Sequence, residues 1–277
     1  MEKYAQPEVL VETEWVAEHL DDPTVRLIDT HIDPTSYEAG HIPGAVFWHG
    51  FETLLKPDYQ VNFEKAAVED LCGRSGIAND TTVIVYSEHS AIAPWVFWFL
   101  KSIGHGDVRV LNGGRKKWIA DSHPLTTDPP TIAATAYTAQ APNPDLRALQ
   151  EKVRAAVGQE KQVLLDVRTP EEYRGEIFML EPPQGTERAG HIPGATHIYY
   201  EAALNEDATF KSADELSALY ADQGITADKE TITYCAIGIR SAHTWFVLTQ
   251  LLGYPHVRSF DASWNAWGRL SDTPVEV

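Results

Sequence analysis

Cysteine is almost absent: Cys72 and Cys235 are the only two in 277 residues. They leave no disulfide framework and no Cys-x-x-Cys zinc pattern. Basic residues are also scarce, 22 Lys plus Arg against 40 Asp plus Glu, for a formal charge of −18. A surface of that sign repels nucleic acid and anionic membranes, so neither is expected as a partner. It also means that a site for a small anion needs arginines placed locally. No apolar run approaches the roughly 20 residues that span a bilayer. The opening MEKYAQPEVLVETE lacks the apolar core of a signal peptide, and a cytoplasmic location is the expectation. What is present is ordinary for a globular chain, 43% hydrophobic and 22% charged residues, at a length that suits one large domain or two average ones.

The chain repeats itself. GHIPGA occurs at 40–45 and again at 190–195. Looser matches follow the same order: RLIDT at 26–30 with LLDVR at 164–168, VIVYS at 83–87 with TITYC at 231–235, and VRVLNGGRKKW at 108–118 with VRSFDASWNAW at 257–267. Each copy alternates short apolar strands with helical patterns. That predicts two tandem α/β domains, each a central parallel sheet with helices on both faces. The expected boundaries are 1–122 for the first domain, 123–144 for a linker and 145–277 for the second. The stretch 121–144 holds Pro124, Pro129, Pro130, Pro142 and Pro144, which rules out a regular helix there; Ile132 and Tyr137 are candidates to anchor it.

The reactive chemistry converges on 231–245, TITYCAIGIRSAHTW. Residues 231–234 read as a strand, and from Ser241 the positions Trp245, Val247, Leu248, Leu251 and Leu252 recur at helical spacing. Cys235 therefore ends a strand on a tight loop that opens a helix. There the amides of Ala236, Ile237, Gly238 and Ile239, together with the helix dipole, can favour a thiolate over a thiol. Gly238 permits backbone angles that a side chain forbids. Arg240 supplies a fixed cation able to hold an oxyanion. An insertion at 174–188 carries Arg174 and Arg188, which can bind an anionic substrate if the segment folds over Cys235. The first copy has Ser87 where the second has Cys235, and its loop lacks both the glycine and the arginine, so it is expected to be non-catalytic. Cys72 falls at an apolar packing position of a helix. Asp29 and Asp166, at matched strand ends, are expected to bond local backbone amides. His41 and His191 lie within the hexapeptide of both copies and are expected to brace its turn, which makes Asp166 and His191 structural.

Taken together these residues resemble the rhodanese family of sulfurtransferases in its tandem-domain form. The resemblance is carried by GHIPGA in both halves, Asp166 ahead of the second, the C-x-x-G-x-R loop at 235–240 and the segment 261–267. It implies that Cys235 is catalytic and carries a sulfane sulfur as a persulfide. It implies further that Arg174 and Arg188, with Arg240 and the loop, hold the substrate, and that no metal or organic cofactor is required. The implied partners are a small anionic sulfur donor and a cyanide, thiol or protein acceptor. Thiosulfate is the expected donor, because Arg240 suits a sulfonate dianion; 3-mercaptopyruvate, whose users resemble a Cys-Gly-Ser/Thr-Gly-Val-Thr loop, is the alternative. Two other classes compete. A dual-specificity phosphatase needs a longer spacer between Cys and Arg than the four residues from Ala236 to Ile239. A non-catalytic binding or regulatory protein of the same fold has no need of the intact second loop.

Overall fold

The computed structural model describes residues 3–277. The chain divides into two compact units. The N-terminal unit comprises Glu8–Asn143 together with Leu204–Phe210, and the C-terminal unit residues 3–7, Pro144–Ala203 and Lys211–Val277.

The N-terminal unit runs β1 (Leu10–Val11), α1 (Thr13–Glu18), β2 (Val25–His31), α2 (Thr35–Ala39), β3 (Val46–His49), α3 (Gly50–Leu54), α4 (Lys65–Arg74), β4 (Thr82–Tyr86), α5 (Ile92–Ser102), β5 (Val108–Leu111) and α6 (Gly114–Ala120). Its strands form one parallel sheet in the order β1-β5-β4-β2-β3. The C-terminal unit runs α7 (Gln150–Ala156), β6 (Gln162–Asp166), α8 (Pro170–Tyr173), β7 (Thr196–His197), α9 (Ala213–Ala221), β8 (Glu230–Tyr234), α10 (Ile239–Phe246), β9 (Val257–Ser259) and α11 (Ser263–Trp267). Its sheet is parallel too, in the order β7-β6-β8-β9. The two sheets share one four-strand order, as the alternating strand and helix patterns require. Where β1 lies in the first, the second has a single parallel bridge between Arg147 and Ser259. The chain turns over 144–146 and bridges at Arg147 before α7 begins at Gln150.

Parallel strands covered on both faces must be apolar throughout. Accordingly, the residues at 83–86 and at 231–234 are all fully buried. The core uses matched positions in each unit: Leu27, Ile42, Ile84, Tyr86, Leu111 and Trp118 in one, Leu164, Ile192, Ile232, Tyr234, Phe260 and Trp267 in the other. Strand register sets Asp29 against Tyr86 and Asp166 against Tyr234. RLIDT therefore corresponds to 163–167, one residue earlier than the sequence match with LLDVR.

The same register explains the duplicated hexapeptide. In each unit the core tyrosine hydroxyl accepts the amide of the hexapeptide isoleucine, Ile42 on Tyr86 and Ile192 on Tyr234, both at 3.1 Å. Each phenol in turn bonds the strand-end carboxylate, Asp29 or Asp166. The histidine ring of each copy bonds a helix-end carbonyl, His41 Nδ1 to Tyr37 at 3.0 Å and His191 Nδ1 to Tyr173 at 2.9 Å, and stacks on that tyrosine at 3.8 Å. The proline-rich stretch runs without a helix along the N-terminal unit. Thr126 bridges His41, the amides of Thr135, Gln140 and Asn143 donate to Gly73, Ile103 and Ser102, and Tyr137 is buried. No helix among the described residues is long and apolar enough to cross a membrane.

Candidate active site

Strand β8 delivers Cys235 to its carboxyl end, where ligands of parallel sheets bind. The residue is fully buried. Burial alone would make it inert, as it does Cys72, whose thiol is pushed up to about 12 by desolvation with nothing to offset it. Cys235 differs in its neighbours. Gly238 takes φ +94° and turns the chain back, so that its N–H donates to the Cys235 sulfur at 3.2 Å. A Cβ at Gly238 would lie 2.5 Å from the Asp261 carbonyl oxygen, so this approach requires glycine. The turn also starts α10 at Ile239, two residues before the apolar pattern that begins at Ser241, and places Arg240 in its first turn.

The loop is held from behind by the start of α11. Cys235 N–H donates to Ser263 Oγ at 3.0 Å, Trp264 N–H to the Cys235 carbonyl at 2.9 Å and Asn265 N–H to the Ala236 carbonyl at 2.8 Å. Ser263 lies 3.8 Å from the sulfur through its hydroxyl, which also donates to Phe260 O at 2.7 Å. It adopts φ +50°, a left-handed conformation unusual for serine. The matched residue in the N-terminal unit is Gly114, also left-handed, and a Cβ there would lie 2.4 Å from the Ser87 carbonyl oxygen. That unit repeats the scaffold, Arg115 N–H donating to the Ser87 carbonyl at 3.1 Å, without the serine hydroxyl behind it.

Arg240 is ion-paired. Its two outer nitrogens donate to Glu172 at 2.6 and 2.8 Å, and Glu172 is only 1% exposed. Glu172 also accepts the Thr169 amide at 2.9 Å in the capping box that starts α8. Burial disfavours the charged guanidinium, but the Glu172 hydrogen bonds and the charges of Cys235 and Glu172 outweigh it and hold the Arg240 proton more tightly than usual. Next to this pair lies a second, wholly buried one: Asp166 with Arg168, at 2.5 to 3.0 Å. Arg168 also reaches the Gly190 carbonyl at 2.8 Å and lies over the Trp264 ring at 4.6 Å. In the N-terminal unit the equivalent carbonyl, that of Gly40, is bonded by Arg115, which starts from a different element.

The structure brings Cys235, Ala236, Ile237, Gly238, Ile239 and Arg240 together, the three apolar members buried. It does not bond Arg174 or Arg188 to them. Arg188 donates to the carbonyls of Gly268, Trp267 and Thr273 and to the Thr273 hydroxyl, tying the insertion to the C-terminal segment. Arg174 is exposed and paired with Glu176 at 2.7 Å and Glu171 at 3.6 Å. Neighbouring glutamates thus satisfy the Arg174 guanidinium, and the C-terminal segment satisfies that of Arg188. Glu14, Asp121 and His123 of the N-terminal unit place three possible metal-ligand atoms within 4.8 Å of one another, but Asp121 is already paired with Lys117 at 2.8 Å. Sequence reasoning missed Glu172, Arg168 and Ser263. The T-x-x-E capping signature at 169–172 was a usable signal for the first. The other two act through tertiary contacts that carry no local pattern.

A model of the family described as "Rhodanese-like domain" matches residues 12–121 and 149–270. The chain is 46% identical to "Sulfur carrier protein TtuD" of Thermus thermophilus, covering 98% of each chain. It is 43% identical to "Putative thiosulfate sulfurtransferase" of Haloferax volcanii, over 97% of this chain and 96% of that one. Among solved structures it is similar to an anaerobic ergothioneine biosynthesis enzyme from Chlorobium limicola in complex with trimethyl histidine, at a TM-score of 0.89 and 26% identity, over 100% of this chain and 72% of that one. It is also similar to EanB carrying a cysteine persulfide, with ergothioneine, at a TM-score of 0.91 and 25% identity and with the same coverage.

Proposed function

The chain belongs to the rhodanese-like family, with two of its domains in tandem, and from that premise we propose that this sulfurtransferase moves a sulfane sulfur from thiosulfate to cyanide or a thiol through a persulfide on Cys235. The observation that carries the proposal is the Gly238 amide at 3.2 Å from the Cys235 sulfur, beside the Arg240 cation. In the first step the Cys235 thiolate attacks the outer sulfur of thiosulfate. The new S–S bond forms as the old one breaks, and sulfite leaves with the electron pair. In the second step the acceptor attacks the outer sulfur of Cys-S-S⁻ and restores the thiolate. The loop amides and the α10 dipole stabilise both anions, and their effect is large because water is excluded. The sulfur has no exposed surface, so entry of the donor displaces side chains at the rim, where Arg240 keeps 18% of its side chain exposed.

At the position of Cys235 the N-terminal unit has Ser87, which offers no thiolate, and we assign that unit no sulfur chemistry. Thiocyanate formation tests the reading. Parallel double-reciprocal lines for thiosulfate and cyanide are expected, with activity lost in Cys235→Ser. Intersecting lines, or activity surviving in that variant, would count against it. A second acceptor class, a protein thiol, is favoured by the relative named a sulfur carrier. It shares the first step.

A further inference from the structure

The fork of Arg240 does not point at an empty anion site. Both outer nitrogens are held by Glu172, a carboxylate with 1% exposure fixed in place by the Thr169 amide. The buried charges near the sulfur therefore cancel in pairs, Arg168 against Asp166 and Arg240 against Glu172. Once Cys235 ionises, its charge is offset by dipoles such as the Gly238 N–H, and among the described residues both buried guanidinium groups beside it are already paired with carboxylates. A dianionic donor then approaches surroundings whose formal charge is already negative. Coulomb repulsion scales with the product of the charges and is weakly screened where water is excluded, so a donor with one charge fewer meets about half the opposition.

Resting on the sulfur-transfer reading above, we infer that Glu172 sets the charge of the donor. The site favours sulfane-sulfur donors with a single negative charge at the reacting end, thiosulfonates and hydropersulfides, and uses the thiosulfate dianion against a penalty. Glu172 is a positioning residue that acts through Arg240. The chemistry is balanced for each donor. The thiolate takes the outer sulfur of RSO₂S⁻ and releases the sulfinate RSO₂⁻, or takes the outer sulfur of RSS⁻ and releases RS⁻. In each case one S–S bond forms as one breaks, and no oxidant or reductant is needed.

The test compares thiosulfate with methanethiosulfonate, CH₃SO₂S⁻, which has a methyl group in place of one charged oxygen. Wild type, Glu172→Gln and Glu172→Asp are assayed with both donors, with cyanide as acceptor and intact-protein mass as a second readout. In Glu172→Gln the kcat/KM ratio of thiosulfate to methanethiosulfonate is expected to rise at least about tenfold, chiefly through the thiosulfate KM, and Glu172→Asp is expected to restore the wild-type ratio. A ratio unchanged within about threefold, with both donors loading sulfur on Cys235, overturns the inference and leaves the sulfur-transfer reading intact. Loading from neither donor overturns that reading and the inference with it. If Glu172→Gln does not fold, wild type decides. With each donor normalised to its rate with free glutathione thiolate, a preference for thiosulfate overturns the inference and a preference for methanethiosulfonate supports it.

Discussion

Replacing Gly238 with alanine isolates the contact on which the active-site assignment depends. The new Cβ would lie 2.5 Å from the Asp261 carbonyl oxygen and 3.0 Å from the Asp261 Cα. Both are backbone atoms anchored at the start of α11, so the loop has to move, by about 0.7 to 1 Å to reach ordinary contact. A left-handed alanine adds roughly 1 to 2 kcal/mol of strain, which favours the same displacement. Moving the amide that far from its 3.2 Å approach to the sulfur removes a hydrogen bond to an anion. Such bonds contribute about 1.5–3 kcal/mol. At about 1.4 kcal/mol per tenfold in rate, sulfur loading at neutral pH is expected to slow about 10- to 100-fold. Rapid-quench mass analysis gives this quantity, with tryptophan fluorescence checking that the fold persists. A folded Gly238→Ala protein with loading within about threefold of wild type would refute the amide's role.

Substitutions at two further positions separate strain from chemistry and one unit from the other. Ser263→Ala leaves the buried Cys235 N–H without its acceptor while keeping φ +50°, whereas Ser263→Gly removes the hydroxyl and the strain together. Glycine is expected to be the more stable of the two by about 1 kcal/mol in denaturant titrations, and equal midpoints would show that the backbone there stores no strain. Asp29 in the N-terminal unit has its carboxyl raised to about 6 by burial, with the Tyr86 hydrogen bond and the Arg115 charge pulling the other way. The folded unit thus holds that proton more tightly than the unfolded chain, and its stability falls as pH rises from about 4 through 6, by ~3 kcal/mol at most. Asp29→Asn is expected to remove this dependence, so its advantage over wild type should be larger at pH 8 than at pH 5; an advantage independent of pH would contradict the assignment.

The fold was legible because its signals are local and duplicated. Runs such as VIVY and TITY, rich in β-branched residues, read as buried strands, and the repeated hexapeptide marks the turn that Tyr86 and Tyr234 clasp. The cysteine loop was legible for the same reason: the glycine and the strand-to-helix junction sit within a few residues of Cys235. The partners of the arginines were not. Arg240 reads as a free cation until a glutamate 68 positions away is seen to occupy it. Arg188 reads as a substrate ligand until the carbonyls of 267–273 are seen to saturate it. Which partner satisfies a long side chain is decided by tertiary proximity, and composition or spacing carries no trace of that.

Persulfide formation on Cys235 is tested most directly by the mass of the protein after brief exposure to thiosulfate. A gain of about 32 Da, one sulfur atom, is expected on the peptide bearing Cys235, released by cyanide and absent from Cys235→Ser. An unchanged mass, or a gain located on Cys72, would contradict it.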